Sequence, residues 1–212
     1  QGLNAKSTGY VVKSMSSDGK VDYRRVRSHV KFADWAQDSD AAEALLALPS
    51  VHMVTITVTE SGYYLDETGA LNPADPVIKG ELAGGKPTSV YRYLTGALAL
   101  RKAANLGGIS ILCCDNIRQN GEMLWRNLFA YLDLQGASEL ADWVKSCVTF
   151  PCSMVDRITP RSTDTLQRDV ESLFGVSPIA PVMAEDFLQW VVEDNFAGCL
   201  LYTSPSPRDE VL

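Results

Sequence analysis

The chain has 212 residues, 46% of them hydrophobic and 21% charged, the composition of a globular protein with room for a sizeable core. A net charge of −7 without a basic cluster argues against nucleic acid as a partner. No apolar run approaches the roughly 20 residues that span a bilayer, and no signal peptide is visible, so no membrane partner is expected.

In chain order, Tyr10–Met15 and Lys20–Val30 are β-rich runs joined by the turn signal Ser17-Asp18-Gly19. Asp40 is placed to cap a short helix, Ala41–Leu48, that Pro49 ends. Val51–Thr59 is rich in β-branched residues and apolar on both faces, the pattern of a central parallel strand. Leu65–Pro87, with its prolines and glycines, reads as an irregular excursion. Thr88 or Ser89 then opens a long helix to about Asn105.

A buried strand is expected at Ile109–Cys113, followed by a helix over Glu122–Leu134 capped by Asn120, and another over Ser138–Ser146. Cys147–Phe150 reads as a short strand. The segment Pro151–Pro160 reads as a stiff loop carrying Asp156 and Arg157 side by side in an apolar run. Such a pair is costly to bury unless it is hydrogen-bonded or used in chemistry. Thr163 caps a helix to Phe174, closed by Gly175, and Val182–Glu193 finishes as a strand or a strand and turn, with Phe187 and Trp190 expected in the core.

The five cysteines, Cys113, Cys114, Cys147, Cys152 and Cys199, match no zinc or disulfide spacing and read as reduced thiols of a cytoplasmic protein. His29 and His52 lie in or beside strand-like runs and read as structural, so neither a histidine metal site nor a histidine-based triad is expected. Cys199–Asp209 reads, codon for codon, as the translation of a sequencing-library adapter; residues 199–212 are expected to be foreign, with Gly198 about the last natural residue.

Alternating strands and helices imply an α/β fold with a doubly wound, mostly parallel, Rossmann-like sheet. In such sheets ligands sit beyond the carboxyl ends of the strands. Thr59-Glu60, Asp115-Asn116 and the segment holding Asp156 occupy that position. The glycine-rich Gly-x-Gly-x-x-Gly turn is absent, so the sheet is expected to be partial, truncated at both ends and missing its first βα unit.

Four segments carry a resemblance: Val58–Tyr64, Cys114–Gly121, Met154–Pro160 and Gln189–Phe196. In order and spacing they resemble the mannitol dehydrogenase family, the long-chain polyol dehydrogenases and hexuronate reductases, over about residues 9 to 198. Tyr63-Tyr64-Leu65, Gly80–Leu94 and Ala180–Met183 are most similar to members that oxidise D-arabinitol; Phe150-Pro151 is also similar to fructuronate reductases.

The resemblance implies zinc-independent oxidation of a polyol secondary alcohol to a ketose, with NAD as cofactor, NADP as the alternative, and a polyol or sugar acid as partner. It implies that Asn116 binds the substrate oxygen, that Asp156 orients the reacting groups, and that Thr59, Glu60 and Val155 line the nicotinamide end of the cofactor site. Arg157 is expected to be a structural partner, and Glu193 either faces the cleft or forms a salt bridge.

The chain departs from the family pattern at Pro151-Cys152-Ser153-Met154, where members commonly read Pro-Asn-Thr-Met or Pro-Ser-Thr-Met. By the resemblance, the glycine-rich turn belongs upstream of Gln1 and the catalytic lysine, in a helical domain, downstream of Gly198. The polypeptide as written is therefore expected to be inactive. Two alternatives stand beside the polyol dehydrogenase: a hexuronate reductase, and a non-catalytic nucleotide-binding domain.

Overall fold

A computed structural model describes residues 9–174 and 181–198; the expected cap at Gly175 and the adapter-like residues 199–212 lie outside the described residues. The described chain forms two compact units, residues 34–154 with 191–198, and residues 9–33 with 155–174 and 181–190.

The larger unit is built on a parallel sheet of β3 (Met53–Ile56), β4 (Ile109–Cys113) and β5 (Val148–Thr149), in that order. All five residues of β4 are buried, as suits a strand covered on both faces, and its one polar side chain, Ser110, accepts from Thr149 Oγ1 at 3.0 Å and Ala197 N at 2.9 Å. β3 is shorter than expected and forms an edge of this sheet among the described residues; β4 holds the centre. Its Met53 is 37% exposed, which explains why β-branched content alone misplaces it.

The helices are α1 (Ser39–Leu46), α2 (Pro76–Leu82), α3 (Val90–Ala103), α4 (Asn120–Leu134) and α5 (Ser138–Cys147). Helix α1 starts one turn cap earlier than expected, because the Asp38 carboxylate, rather than that of Asp40, accepts from the Ala41 amide at 2.9 Å. Helix α2 lies inside the segment expected to be irregular: Pro76 sits in its first turn, where no N–H is needed, and Asp75 caps the Val77 amide. On α4 the buried residues Met123, Leu124, Leu128, Tyr131 and Leu132 recur at helical spacing. Each fully buried side chain of this kind contributes about 1.5–3 kcal/mol.

Three buried polar groups tie these helices together. Arg101, 2% exposed, donates to the carbonyls of Leu46 (2.9 Å) and Gly107 (3.0 Å), so the guanidinium closes the ends of α1 and α3. The Glu81 carboxylate accepts from the Thr88 amide, the Ser89 amide and hydroxyl, and the Tyr131 hydroxyl at 3.1 Å. The third is Asn127, whose Oδ1 accepts from Leu71 N at 2.7 Å and whose Nδ2 donates to Met123 O at 2.9 Å, pinning the excursion to α4.

The smaller unit holds a mixed sheet in the order β2 (Val21–Val26), β1 (Tyr10–Met15), β7 (Val182–Glu185), with β1 antiparallel to β2 and parallel to β7. The hairpin turns at Gly19, whose φ of +80° suits glycine. Helix α6 (Asp164–Phe174) buries Leu166 and Val170 with Val11, and Lys13 pairs with Asp169 at 3.2 Å. β6 (Ser153–Asp156) and β8 (Gln189–Val192) form a two-stranded sheet, and the boundary between the units runs through both strands. β6 replaces the loop expected between Pro151 and Pro160; both prolines fall outside its four residues. Phe187 and Trp190, expected in the core, are 51% and 48% exposed. Among the described residues no helix is long and apolar enough to cross a membrane.

Candidate functional site

Two strand ends converge on one cleft. After β3 the chain runs through Thr59 into a single 3-10 turn, Glu60–Tyr63. After β4 it runs through Asp115, Asn116 and Ile117 toward α4. Because β3 and β4 are parallel neighbours, both segments leave the same edge of the sheet. Together Val58, Thr59, Glu60, Ser61, Asp115, Asn116 and Ile117 line an open cavity of about 530 Å³. That volume lies within the range of roughly 300–1,000 Å³ typical of small-molecule sites.

The cleft's polar groups are uncharged except for two carboxylates. Thr59 Oγ1 and Ser61 Oγ share a hydrogen bond at 3.0 Å, and the side chains of Glu60 and Asn116 are exposed to the cleft's mouth. Hydroxyls and a carboxamide suit a neutral ligand with hydroxyl or amide groups. That donor set fits a nicotinamide ring beside a polyol.

Beneath the mouth lies a buried network. The Tyr63 hydroxyl donates to Asp115 Oδ2 and approaches Cys113 Sγ at 3.4 Å, while Tyr91 donates to the Tyr63 carbonyl at 2.9 Å. Burial first, with Cys113 and Asp115 adding to it, pushes the Tyr63 hydroxyl far above its ordinary value of 10.0. Burial likewise pushes the Cys113 thiol up to about 12. Asn120 does not cap α4 through its side chain: Nδ2 donates to Cys113 O and Ser153 O, both at 3.0 Å, and to Asp115 Oδ1 at 3.3 Å. Its Oδ1 accepts from Ser153 N at 3.0 Å. Gly121 follows, and a Cβ there would collide with the Phe150 carbonyl.

Of the residues expected to act, the cleft gathers Thr59, Glu60 and Asn116. Val155 and Asp156 end β6, in the smaller unit. There the Asp156 side chain is exposed and makes no hydrogen bond or ion pair among the described residues, so it forms no ion pair with Arg157. Arg157 donates instead to the Glu185 carbonyl at 3.0 and 3.1 Å, and Ile158 N donates to the Glu185 carboxylate at 2.6 Å. Among the described residues Glu193 forms no salt bridge; its carboxylate accepts from the Cys152 amide at 2.9 Å.

Comparison with known proteins places the chain in a family. The model of the mannitol dehydrogenase Rossmann domain matches residues 1–201. The chain belongs to the mannitol dehydrogenase family. It is 38% identical over 194 residues to a D-arabinitol 4-dehydrogenase of Ralstonia nicotianae, covering 92% of this chain and 42% of that protein. It is 44% identical over 197 residues to a mannitol 2-dehydrogenase of Phaeosphaeria nodorum, covering 92% of this chain and 34% of that protein. The fold matches a Pseudomonas fluorescens mannitol 2-dehydrogenase in a ternary complex with NAD and D-mannitol at a TM-score of 0.83 and 31% identity, over 92% of this chain and 40% of that one. The chain thus spans less than half the length of these relatives. The α/β architecture of this mannitol dehydrogenase family chain is Rossmann-like.

Val58, Ser61 and Ile117 join the lining, and Tyr63, Asp115 and Asn120 hold it from beneath. All six lie within Val58–Tyr64 and Cys114–Gly121, whose order and spacing do not show which side chains meet.

Proposed function

We propose that this chain is the cofactor-binding part of an NAD-dependent polyol dehydrogenase that oxidises a secondary alcohol of D-arabinitol or a closely similar polyol to a ketone. The observation that carries the reading is the gathering of Asn116 with Thr59 and Glu60 in one cleft at the carboxyl edge of the parallel sheet, in a chain 38% identical to a D-arabinitol 4-dehydrogenase. When bound, NAD supplies the acceptor for the hydride that leaves the alcohol carbon.

The chain's own residues do the rest of what this half of the site requires. The Asn116 carboxamide donates to the substrate oxygen and favours the negative charge that grows there as its proton is lost. Thr59 and Ser61 would offer hydroxyls to the cofactor's carboxamide, with Glu60 beside them in the same cleft. For Val155 and Asp156, the family resemblance alone supports the roles of a cofactor contact and of orienting the reacting groups. The free thiols of Cys113, Cys114, Cys147 and Cys152 support a reducing, cytoplasmic location.

The test is the full-length gene product, incubated with NAD and either D-arabinitol or D-mannitol, and with NADH and fructuronate. NADH formation from D-arabinitol is the expected result. Turnover of fructuronate alone would assign a hexuronate reductase, and no turnover with any of the three would leave a nucleotide-binding domain.

A further inference from the structure

We propose that Asp115 is a positioning residue, a clasp that joins the two walls of the cleft and thereby sets the orientation of the neighbouring Asn116 carboxamide. The inference rests on the dehydrogenase reading for its chemistry, and on the following geometry for its structure.

Asp115 is only 7% exposed, unusual for a carboxylate. Among the described residues it has no cationic partner: its two oxygens are taken by neutral donors, Oδ2 by the Tyr63 hydroxyl and Oδ1 by Asn120 Nδ2 at 3.3 Å. A buried carboxylate held in this way costs stability relative to a pair of apolar side chains of the same shape. Holding a loop in one conformation is a return for that cost, and the two donors belong to different walls. Tyr63 ends the 3-10 turn that carries Glu60, and Asn120 begins the helix that follows Asn116.

Each donor is itself fixed. Tyr63 is fully buried, with its carbonyl held by the Tyr91 hydroxyl at 2.9 Å. Asn120 is fully buried and bound on both sides to Ser153. Among the described residues, Tyr63 makes the only side-chain hydrogen bonds that run from the 58–63 wall to residues 113–117. Removing its hydroxyl therefore frees one wall from the other while leaving the ring's packing in place.

Two measurements test the clasp. In the ligand-free chain, Tyr63→Phe should raise amide exchange at Gly62 and Tyr64, which donate to Thr59 O and Ser61 O in the 3-10 turn, about tenfold, the effect of one buried hydrogen bond, without changing exchange in β3. Asp115→Asn should keep the protection, because its amide can donate to the tyrosine oxygen while its carbonyl still accepts from Asn120; Asp115→Ala should lose it. This aspartate pair is independent of whether Tyr63→Phe folds. Exchange at Gly62 and Tyr64 that is equal in Asp115→Asn and Asp115→Ala would overturn the clasp.

In the full-length enzyme, Tyr63→Phe and Asp115→Ala should lower kcat on D-arabinitol, per folded molecule, about tenfold or more, and Asp115→Asn should restore most of it. A loss that merely follows the fraction of folded protein would overturn the positioning role. A wild-type enzyme without polyol turnover would instead sink the dehydrogenase reading, while the exchange result would stand on its own.

Discussion

Gly96 on α3 lies against the carboxylate of Glu43 on α1 so closely that a Cβ at position 96 would collide with both carboxylate oxygens or the carbon between them. Glu43 is 6% exposed, accepts from Trp35 Nε1 at 3.2 Å and faces Arg92 Nη1 at 3.6 Å. Glycine in a helix interior ordinarily costs stability relative to alanine. Here the missing methyl group is what lets α1 and α3 meet with a charged side chain between them. Gly96→Ala should therefore destabilise the chain by about 1–3 kcal/mol, as overpacking does, against the gain expected from helix propensity. A urea midpoint at or above wild type would refute this reading of the contact.

Arg101 presents a second buried charge, held by carbonyls rather than by a carboxylate. Arg101→Met leaves the carbonyls of Leu46 and Gly107 buried without donors, and each such loss costs about 1–3 kcal/mol. Arg101→Lys should rescue little, since an ammonium cannot reach both carbonyls in the fixed geometry of the guanidinium fork. Thermal melting of the two variants checks this: equal melting temperatures for Arg101→Lys and wild type would contradict it.

Alkali should unfold this protein early. Burial pushes the Cys113 thiol from its ordinary value of 9.0 up to about 12, so the folded state holds its proton longer. A raised pKa gives stability that is complete below pH 9.0 and is lost as pH climbs toward 12, because only the unfolded chain releases the proton. The tyrosine hydroxyls of Tyr63, Tyr91 and Tyr131, all pushed up chiefly by burial, add the same sign above 10.0. Each coupled group contributes about 1.4 kcal/mol per pH unit across its window. Cys113→Ala should flatten the first part of this decline, measured as melting temperature against pH; an identical slope in the variant and wild type would count against the assignment.

At the cleft, Asn116→Ala in the full-length enzyme should lower kcat about 100- to 1,000-fold, the usual loss on removing a donor to a developing oxyanion. Asn116→Asp should be no better, since it places a negative charge beside that oxygen. The ratio of kcat between variant and wild type decides the point, and a loss of less than about threefold would remove Asn116 from the chemistry.

Local pattern carried much of this architecture. β4 could be placed to the residue because its mostly apolar run is flanked by Gly107-Gly108 and Asp115-Asn116. Helix α2 could not, because Pro76 and the neighbouring glycines look like breakers until Asp75 is seen to cap the turn they begin. β6 was hidden for a similar reason, its four residues lying between prolines that do not belong to it.

At the site, the residues at the cleft's mouth were accessible through short motifs. The clasp was not, since Tyr63 and Asp115 stand 52 residues apart and only the pairing of β3 with β4 brings them together. Nor could the sequence tell that Asp156 turns outward while Arg157 reaches for a carbonyl 28 residues away.

The Glu81 carboxylate has a kinetic meaning beyond its hydrogen bonds. It sits on α2, takes the first amides ahead of α3 and receives a hydroxyl from α4, so one side chain stitches three helices. The segment between Leu65 and Ser89, which by composition resembles a loop that could breathe by itself, cannot lift away without stranding a buried charge and releasing the start of α3. Its fluctuations are thereby coupled to those of the core, and a protease should find it cleavable only as fast as the whole larger unit opens.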